Sequence, residues 1–195
     1  MTEAYKSPKE RDLRAQGRRT LRRLTSAAGE VFSDRGYHAA RVDDIVRAAR
    51  TSHGTFYLYF QSKEDVLRAL AGECAAEYGQ LAADLTDPAR TMTIAEGVER
   101  FFAVYDRHGA VIRAWMERHV ADRETNRHGR DAFMQIAAAL GDRLREAGAP
   151  HDPVTIGALM ALLERSAYYR ASRPGIGIDA ESVAAVIDRG FFRVA

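Results

Sequence analysis

The stretch from Val42 to Lys63, VDDIVRAARTSHGTFYLYFQSK, constrains this chain more than any other. Val42, Ile45, Val46 and Ala49 recur at helical spacing, which predicts a short amphipathic helix. Arg50, Thr51 and Ser52 interrupt it. A hydroxyl at Thr51 or Ser52 can accept from the free N–H groups of a following helix, so a second short helix is expected from His53 to about Phe60. Ser62 with Asp65 three residues on is a capping-box spacing that opens a third helix. Two short helices joined by a few residues make a helix-turn-helix, whose second helix is shaped to enter a DNA major groove.

At these residues the chain resembles a known family. Phe32, Gly36 and Tyr37 are followed by Gly54-Thr55-Phe56-Tyr57-Leu58-Tyr59-Phe60 and then Ser62-Lys63-Glu64. In that order the segment from about Leu21 to Leu70 is similar to the DNA-binding domain of the TetR family of transcriptional regulators. The resemblance covers about a quarter of the chain. It implies an all-α fold: an N-terminal three-helix helix-turn-helix DNA-binding domain and a C-terminal helical domain for ligand binding and dimerisation. The expected division is a disordered basic arm over 1–15, the DNA-binding domain over 16–63, and a regulatory and dimerisation domain over 64–195.

Charge supports the DNA-binding expectation. The net charge of +2 conceals a division: residues 1–63 carry 13 Lys/Arg against 7 Asp/Glu, and residues 64–195 carry 16 against 20. The basic excess lies where phosphate attraction requires it. Arg11, Arg14, Arg18, Arg19, Arg22 and Arg23 follow the polar start and can serve either as a DNA-reaching arm or as a solvated helix start.

The resemblance also assigns contacts by position. Thr51, Ser52, His53 and Thr55 fall at the front of the recognition helix, where base edges are approached. Tyr57, Tyr59 and Lys63 match positions that hold phosphates, while Phe56 and Phe60 lock the helix to the core. Four positions depart from the family pattern. Arg41 stands where Ser or Thr caps the second helix; it loses the cap but can contact a phosphate by charge. Arg50 stands where Gly is usual, and in a left-handed turn this costs about 1–2 kcal/mol. Thr51 replaces Val, and His53 replaces Lys. The apolar framework is intact, so these departures concern the operator sequence rather than the fold.

The remaining helices follow from periodicity. The first is expected from Gln16 to Asp34, with Leu21, Leu24, Ala28, Val31 and Phe32 on one face and Gly36 as its stop. A long helix is expected from Lys63 to Leu85, broken at Thr86-Asp87-Pro88. One apolar stripe runs from Ile94 to Tyr105 and ends near His108-Gly109; another holds Val111, Ile112, Trp115, Met116 and His119; a third runs from Phe133 to Leu144. Asp152-Pro153 starts a helix to about Ala171, and Asp179 starts the last.

Phe102, Tyr105, Trp115, Met116, Phe133, Met160 and Tyr168 can line an apolar cavity in such a bundle, and Glu164 can anchor a ligand or pair with a neighbouring Arg. The partners expected are a double-stranded DNA operator, a second copy in a homodimer, and an apolar or aromatic small-molecule effector. Gly157, Ala158, Ala161, Ala184 and Ala185 allow the last two helices to approach their copies closely.

Other classes are disfavoured. The six histidines show no His-x-x-x-His spacing, Cys74 has no partner cysteine, and neither a Gly-rich phosphate loop nor Gly-x-Ser-x-Gly occurs. No catalytic residue, metal site, cofactor or enzyme activity is therefore expected. No apolar run reaches the roughly 18 residues of a membrane span, and a cytoplasmic location is expected. The function expected is a sequence-specific repressor released by a small molecule. The alternative is an architectural or nucleoid-associated DNA-binding protein without a ligand switch, distinguished by many dispersed sites and no effector response.

Overall fold

The structure, a computed structural model, describes residues 8–116 and 123–193. Among them there are helices and no strands. The chain forms two compact units, Met1–Leu70 and Ala71–Ala195. The expected division after Lys63 falls at the first residue of a helix, and the compact units divide within that helix.

In the first unit, α1 spans Pro8–Arg35. It begins earlier than Gln16, so the expected arm over 1–15 is helical from Pro8; residues 1–7 lie outside the described residues. Leu24, Ala27, Ala28, Val31 and Phe32 form its buried face, but Leu21, expected on that face, is exposed. Gly36, at φ 76°, ends the helix, its N–H donating to the Phe32 carbonyl. Tyr37 then turns back edge-on to Phe32 at 5.3 Å, and its hydroxyl donates to Glu64.

α2 spans Val42–Ala48 and α3 spans His53–Tyr57. The turn between them is a Schellman motif: Thr51 N–H donates to Val46 O and Arg50 N–H to Arg47 O. Its left-handed residue is Arg50, at φ 47°, the one described non-glycine residue with positive φ. A side chain there crowds its own carbonyl. The second unit closes a helix with the same pair of bonds at Gly148, φ 71°, without that crowding. Arg50→Gly is therefore expected to stabilise the first unit. The relieved strain of about 1–2 kcal/mol exceeds the extra chain entropy of glycine, about 0.5–1 kcal/mol. A thermal melt should show a rise of a few degrees; an unchanged or lowered midpoint would contradict the strain.

α4 spans Lys63–Thr86. Its start is capped as the Ser62–Asp65 spacing predicts, with Asp65 N–H donating to Ser62 Oγ and Gln61 N–H donating to the Asp65 carboxylate. In the second unit follow α5 (Ile94–Met116), α6 (Arg123–Glu146), α7 (Pro153–Ser172) and α8 (Ala180–Ile187), the last continued by a π-turn over Asp188–Phe192. The expected break at His108-Gly109 is absent, and α5 runs through it. A lone glycine costs a helix only about 1 kcal/mol, and the buried Gly109 leaves room for the Tyr105 ring, which a Cβ would meet at 3.2 Å. Asp152 and Asp179 cap α7 and α8 by accepting from backbone N–H groups.

The core of the second unit joins Tyr78 and Leu81 of α4, Phe101, Phe102 and Tyr105 of α5, Ile136 and Leu144 of α6, Leu159 and Leu163 of α7, and Ile187 of α8. An ion-pair cluster around the buried Asp84 is among those that fasten α4 to α5. The Asp84 carboxylate accepts from Arg100 at 2.5 Å and from Gln80 at 3.0 Å, and pairs with Arg90 at 3.1 Å. Arg100 first, then Gln80 and Arg90, hold the Asp84 carboxyl below its ordinary value. A lowered folded-state value stabilises the fold above the ordinary value of 3.8 and is lost as pH falls through the lowered one. The second unit is thus expected to lose stability in acid below about pH 4. In Asp84→Asn, melting temperature should depend less steeply on pH across that range; an unchanged slope would show that other carboxylates govern it.

Candidate functional site

The front of α3 is built by Ser52. Its Oγ accepts the Thr55 N–H at 3.1 Å and lies 3.0 Å from Thr55 Oγ1. The hydroxyls expected to meet bases therefore also set the helix start. Phe56 is fully buried and Phe60 nearly so, which turns Ser52, His53, Gly54 and Tyr57 outward. Thr51 and Thr55 are half-buried. His53 Nε2 lies 2.6 Å from Asp43 Oδ1 of α2, and both side chains are exposed. This pairing was not foreseen, because Asp43 reads in sequence only as a favourable charge at a helix start.

Arg41 is exposed, and its backbone N–H donates to the Asp44 carboxylate at 3.1 Å. Asp44 thus makes one half of a capping box, accepting the N–H of the capping residue itself. Tyr57 is 57 % exposed. The Tyr59 hydroxyl instead approaches Gly17 of α1.

Lys63 has a different arrangement from the one its position suggested. Its ammonium donates to three backbone carbonyls, Tyr37 at 3.0 Å, His38 at 3.2 Å and Ala40 at 3.0 Å, and sits 4.7 Å from the centre of the Tyr37 ring. An ammonium has three donors. All three are directed at the loop before α2, which makes Lys63 a staple of that loop.

The second candidate site is a cavity of about 750 Å³ within the second unit. Tyr105, Phe133, Met160 and Glu164 line it as expected. Phe102 and Tyr168 do not: Phe102 is fully buried with the Arg170 guanidinium over its ring, and Tyr168 stacks with Arg165. The side chains of Trp115 and Met116, and all of His119, lie outside the described residues. Sequence reading missed Cys74 and Tyr78 on α4 as part of the wall. Their spacing of four residues, one turn apart, carried the signal, but an apolar stripe does not say whether it faces a void or a neighbour.

The polar groups of this cavity are few. The Tyr105 hydroxyl is buried with no hydrogen-bond partner among the described residues. Burial, then the nearby Glu164 carboxylate, push its ionisation up to about 12, against a weaker pull from Arg113. Burial likewise raises Tyr78, and raises the Cys74 thiol to about 12, leaving that thiol a poor nucleophile. Among the described residues, no group of three or more His, Cys, Asp or Glu is placed to hold a metal.

Comparison with known proteins agrees with this architecture. The family model for bacterial regulatory proteins of the tetR family matches residues 24–70. The transcriptional regulator EthR of Mycobacterium tuberculosis is 32 % identical over 111 residues, 51 % of each chain. The fatty acid metabolism regulator protein of Bacillus subtilis is 38 % identical over 63 residues, 32 % of each chain. The chain thus spans from about a third to about half the length of these curated relatives. The structure of the fatty acid degradation regulator FadR from Bacillus halodurans superposes with a TM-score of 0.66 at 19 % identity, covering 95 % of this chain and 97 % of that one. At that identity the likeness speaks for the fold, which extends through both units. The segment over residues 24–70 is thus that of the bacterial regulatory proteins of the tetR family, and the helical fold is shared with a solved structure across almost the whole chain.

Proposed function

We propose that the protein is a sequence-specific DNA-binding transcriptional repressor, acting as a homodimer in the cytoplasm and released from its operator by a small molecule. The observation that carries this reading is the outward face of α3. A short helix, capped by Ser52 and anchored by Phe56, presents Ser52, His53, Gly54 and Tyr57 to solvent. Exposed Arg18, Arg19, Arg22, Arg23 and Arg41 supply cations for phosphates in the same unit. Thr51, Ser52, His53 and Thr55 serve base recognition, and Tyr57 and Tyr59 serve the backbone.

Two further observations support the dimer and the switch. On α7, Val154 is 81 % exposed beside exposed Gly157, Ala158 and Ala161, and on α8 Val186 is exposed beside Ala185. Such faces of small and apolar residues suit pairing with a second copy. The cavity favours a ligand-controlled regulator over an architectural protein, which needs none. FadR of Bacillus subtilis has been solved in complex with stearoyl-CoA, and shares this fold with a TM-score of 0.60. An effector shifts the equilibrium only by binding the DNA-incompetent form more tightly. α4 is the covalent route for that shift, since it carries Lys63 in one unit and Cys74 and Tyr78 in the cavity wall.

The test is a footprint of the purified protein on the DNA upstream of its own coding region, at two salt concentrations. A protected site with two-fold symmetry that weakens as salt rises is the expected result. Uniform coverage without preferred sites would favour the architectural reading instead.

A further inference from the structure

The cavity is large and mostly apolar, yet its interior polar groups share one character. Glu164 is the charged lining side chain drawn furthest inward, 21 % exposed. Its nearest cation, Arg165, is 3.9 Å away, beyond hydrogen-bonding distance. Arg165 is 55 % exposed and lies over the rings of Tyr168 and Tyr169. Glu164 therefore keeps unused acceptor capacity toward the cavity. The Tyr105 hydroxyl lines the same cavity, buried and without a partner. A buried hydroxyl lacking a hydrogen bond is costly, and such a group in a cavity wall is open to any occupant, water or ligand, that satisfies it. The Arg113 side chain approaches this hydroxyl and favours its ionised form, without making a hydrogen bond of good geometry to it. His128 also lines the cavity and has an interaction of its own.

We propose that this cavity selects an apolar, largely aromatic molecule whose head group donates hydrogen bonds, an amine or an alcohol, and that it rejects carboxylates of the same shape. The head group donates a hydrogen bond to the Glu164 carboxylate; an alcohol oxygen also accepts from the Tyr105 hydroxyl, whereas an ammonium donates a second N–H to that hydroxyl's oxygen; Ile136, Met160 and Phe133 hold the apolar body. An anionic head would face Glu164 at close range in a poorly solvated site, where like charges repel strongly. The proposal rests on the reading of this cavity as the effector site, and it deepens that reading by naming the chemistry admitted.

The test is calorimetric titration of the full chain with three probes that share one body: 1-naphthylmethylamine, 1-naphthalenemethanol and 1-naphthoate. The amine and the alcohol are expected to bind, each at least tenfold more tightly than the naphthoate. Glu164→Gln should weaken the amine about tenfold or more and narrow its advantage over the naphthoate. Tyr105→Phe should weaken the alcohol several-fold while leaving the unliganded protein as stable as before or more so, since an unpaired buried hydroxyl is removed. Tighter binding of the naphthoate, binding of none of the three, or amine affinity unchanged in Glu164→Gln would each overturn the proposal. Binding is measured without DNA. A bound amine that leaves operator affinity unchanged would therefore count against the effector reading while the head-group selectivity stands.

Discussion

Replacing Phe56 with alanine is expected to abolish operator binding and to unfold the first unit while the second stays folded. Phe56 is fully buried, 5.3 Å from the Tyr57 ring and 5.8 Å from the Phe60 ring, and is the buried residue of α3. Removing a buried phenyl ring costs about 3–5 kcal/mol, from lost transfer free energy and the cavity left behind. Domains are typically stable by only about 5–15 kcal/mol, and a unit of this size lies toward the lower end. A helix of five residues has no independent stability to fall back on. Amide hydrogen exchange would locate the effect: protection should vanish across α2 and α3 and persist in α5, α7 and α8. Operator affinity within threefold of the parent would refute the anchoring role.

The second large effect concerns Lys63, where two readings give different numbers. Its position in the family pattern suggests a phosphate contact; its geometry gives all three donors to carbonyls of the loop before α2. Lys63→Met keeps the alkyl stem over Tyr37 and removes the charge. Hydrogen bonds to a charged group are worth about 1.5–3 kcal/mol each before compensation by water, and one of these carbonyls is exposed. We expect the first unit to lose about 2 kcal/mol of stability, read from a denaturant melt. A lost phosphate contact would reduce the salt slope of DNA binding by about 0.9. The staple reading expects that slope to stay as it was, measured well below the melting midpoint. A slope lowered by nearly one, with stability intact, would return Lys63 to the phosphates.

These two residues show what was legible in the sequence. Phe56 as an anchor could be read directly, because a buried aromatic needs only a face to point at, and helical period supplies the face. The cap at Ser52, the box at Ser62 and Asp65, and the left-handed turn at Arg50 are likewise local, each decided by residues within four positions. Lys63 could not be read that way. Its partners lie more than twenty residues earlier, and a carbonyl carries no signature in the residue name. The His53–Asp43 pair and the Asp84–Arg100 contact were hidden differently: each joins side chains of two helices, and helical period does not say which charged residues of neighbouring helices meet. The cavity was half legible. Tyr105, Phe133, Met160 and Glu164 were found by character, while Phe102 and Tyr168 have that character and pack elsewhere. Period separates inside from outside; it does not separate a wall from a filling. The run of α5 through Gly109 was missed because a glycine reads as a stop until the ring filling its space is seen.

The residues of α3 divide their labour. Phe56 is the residue the core holds, Thr55 sets the helix start with Ser52, and His53, Gly54 and Tyr57 face outward, Tyr57 with one ring edge against Phe56. Single substitutions at His53 and Gly54 can therefore change the outward face at little cost to folding. Duplicated copies of this gene can acquire new DNA addresses without passing through an unfolded intermediate.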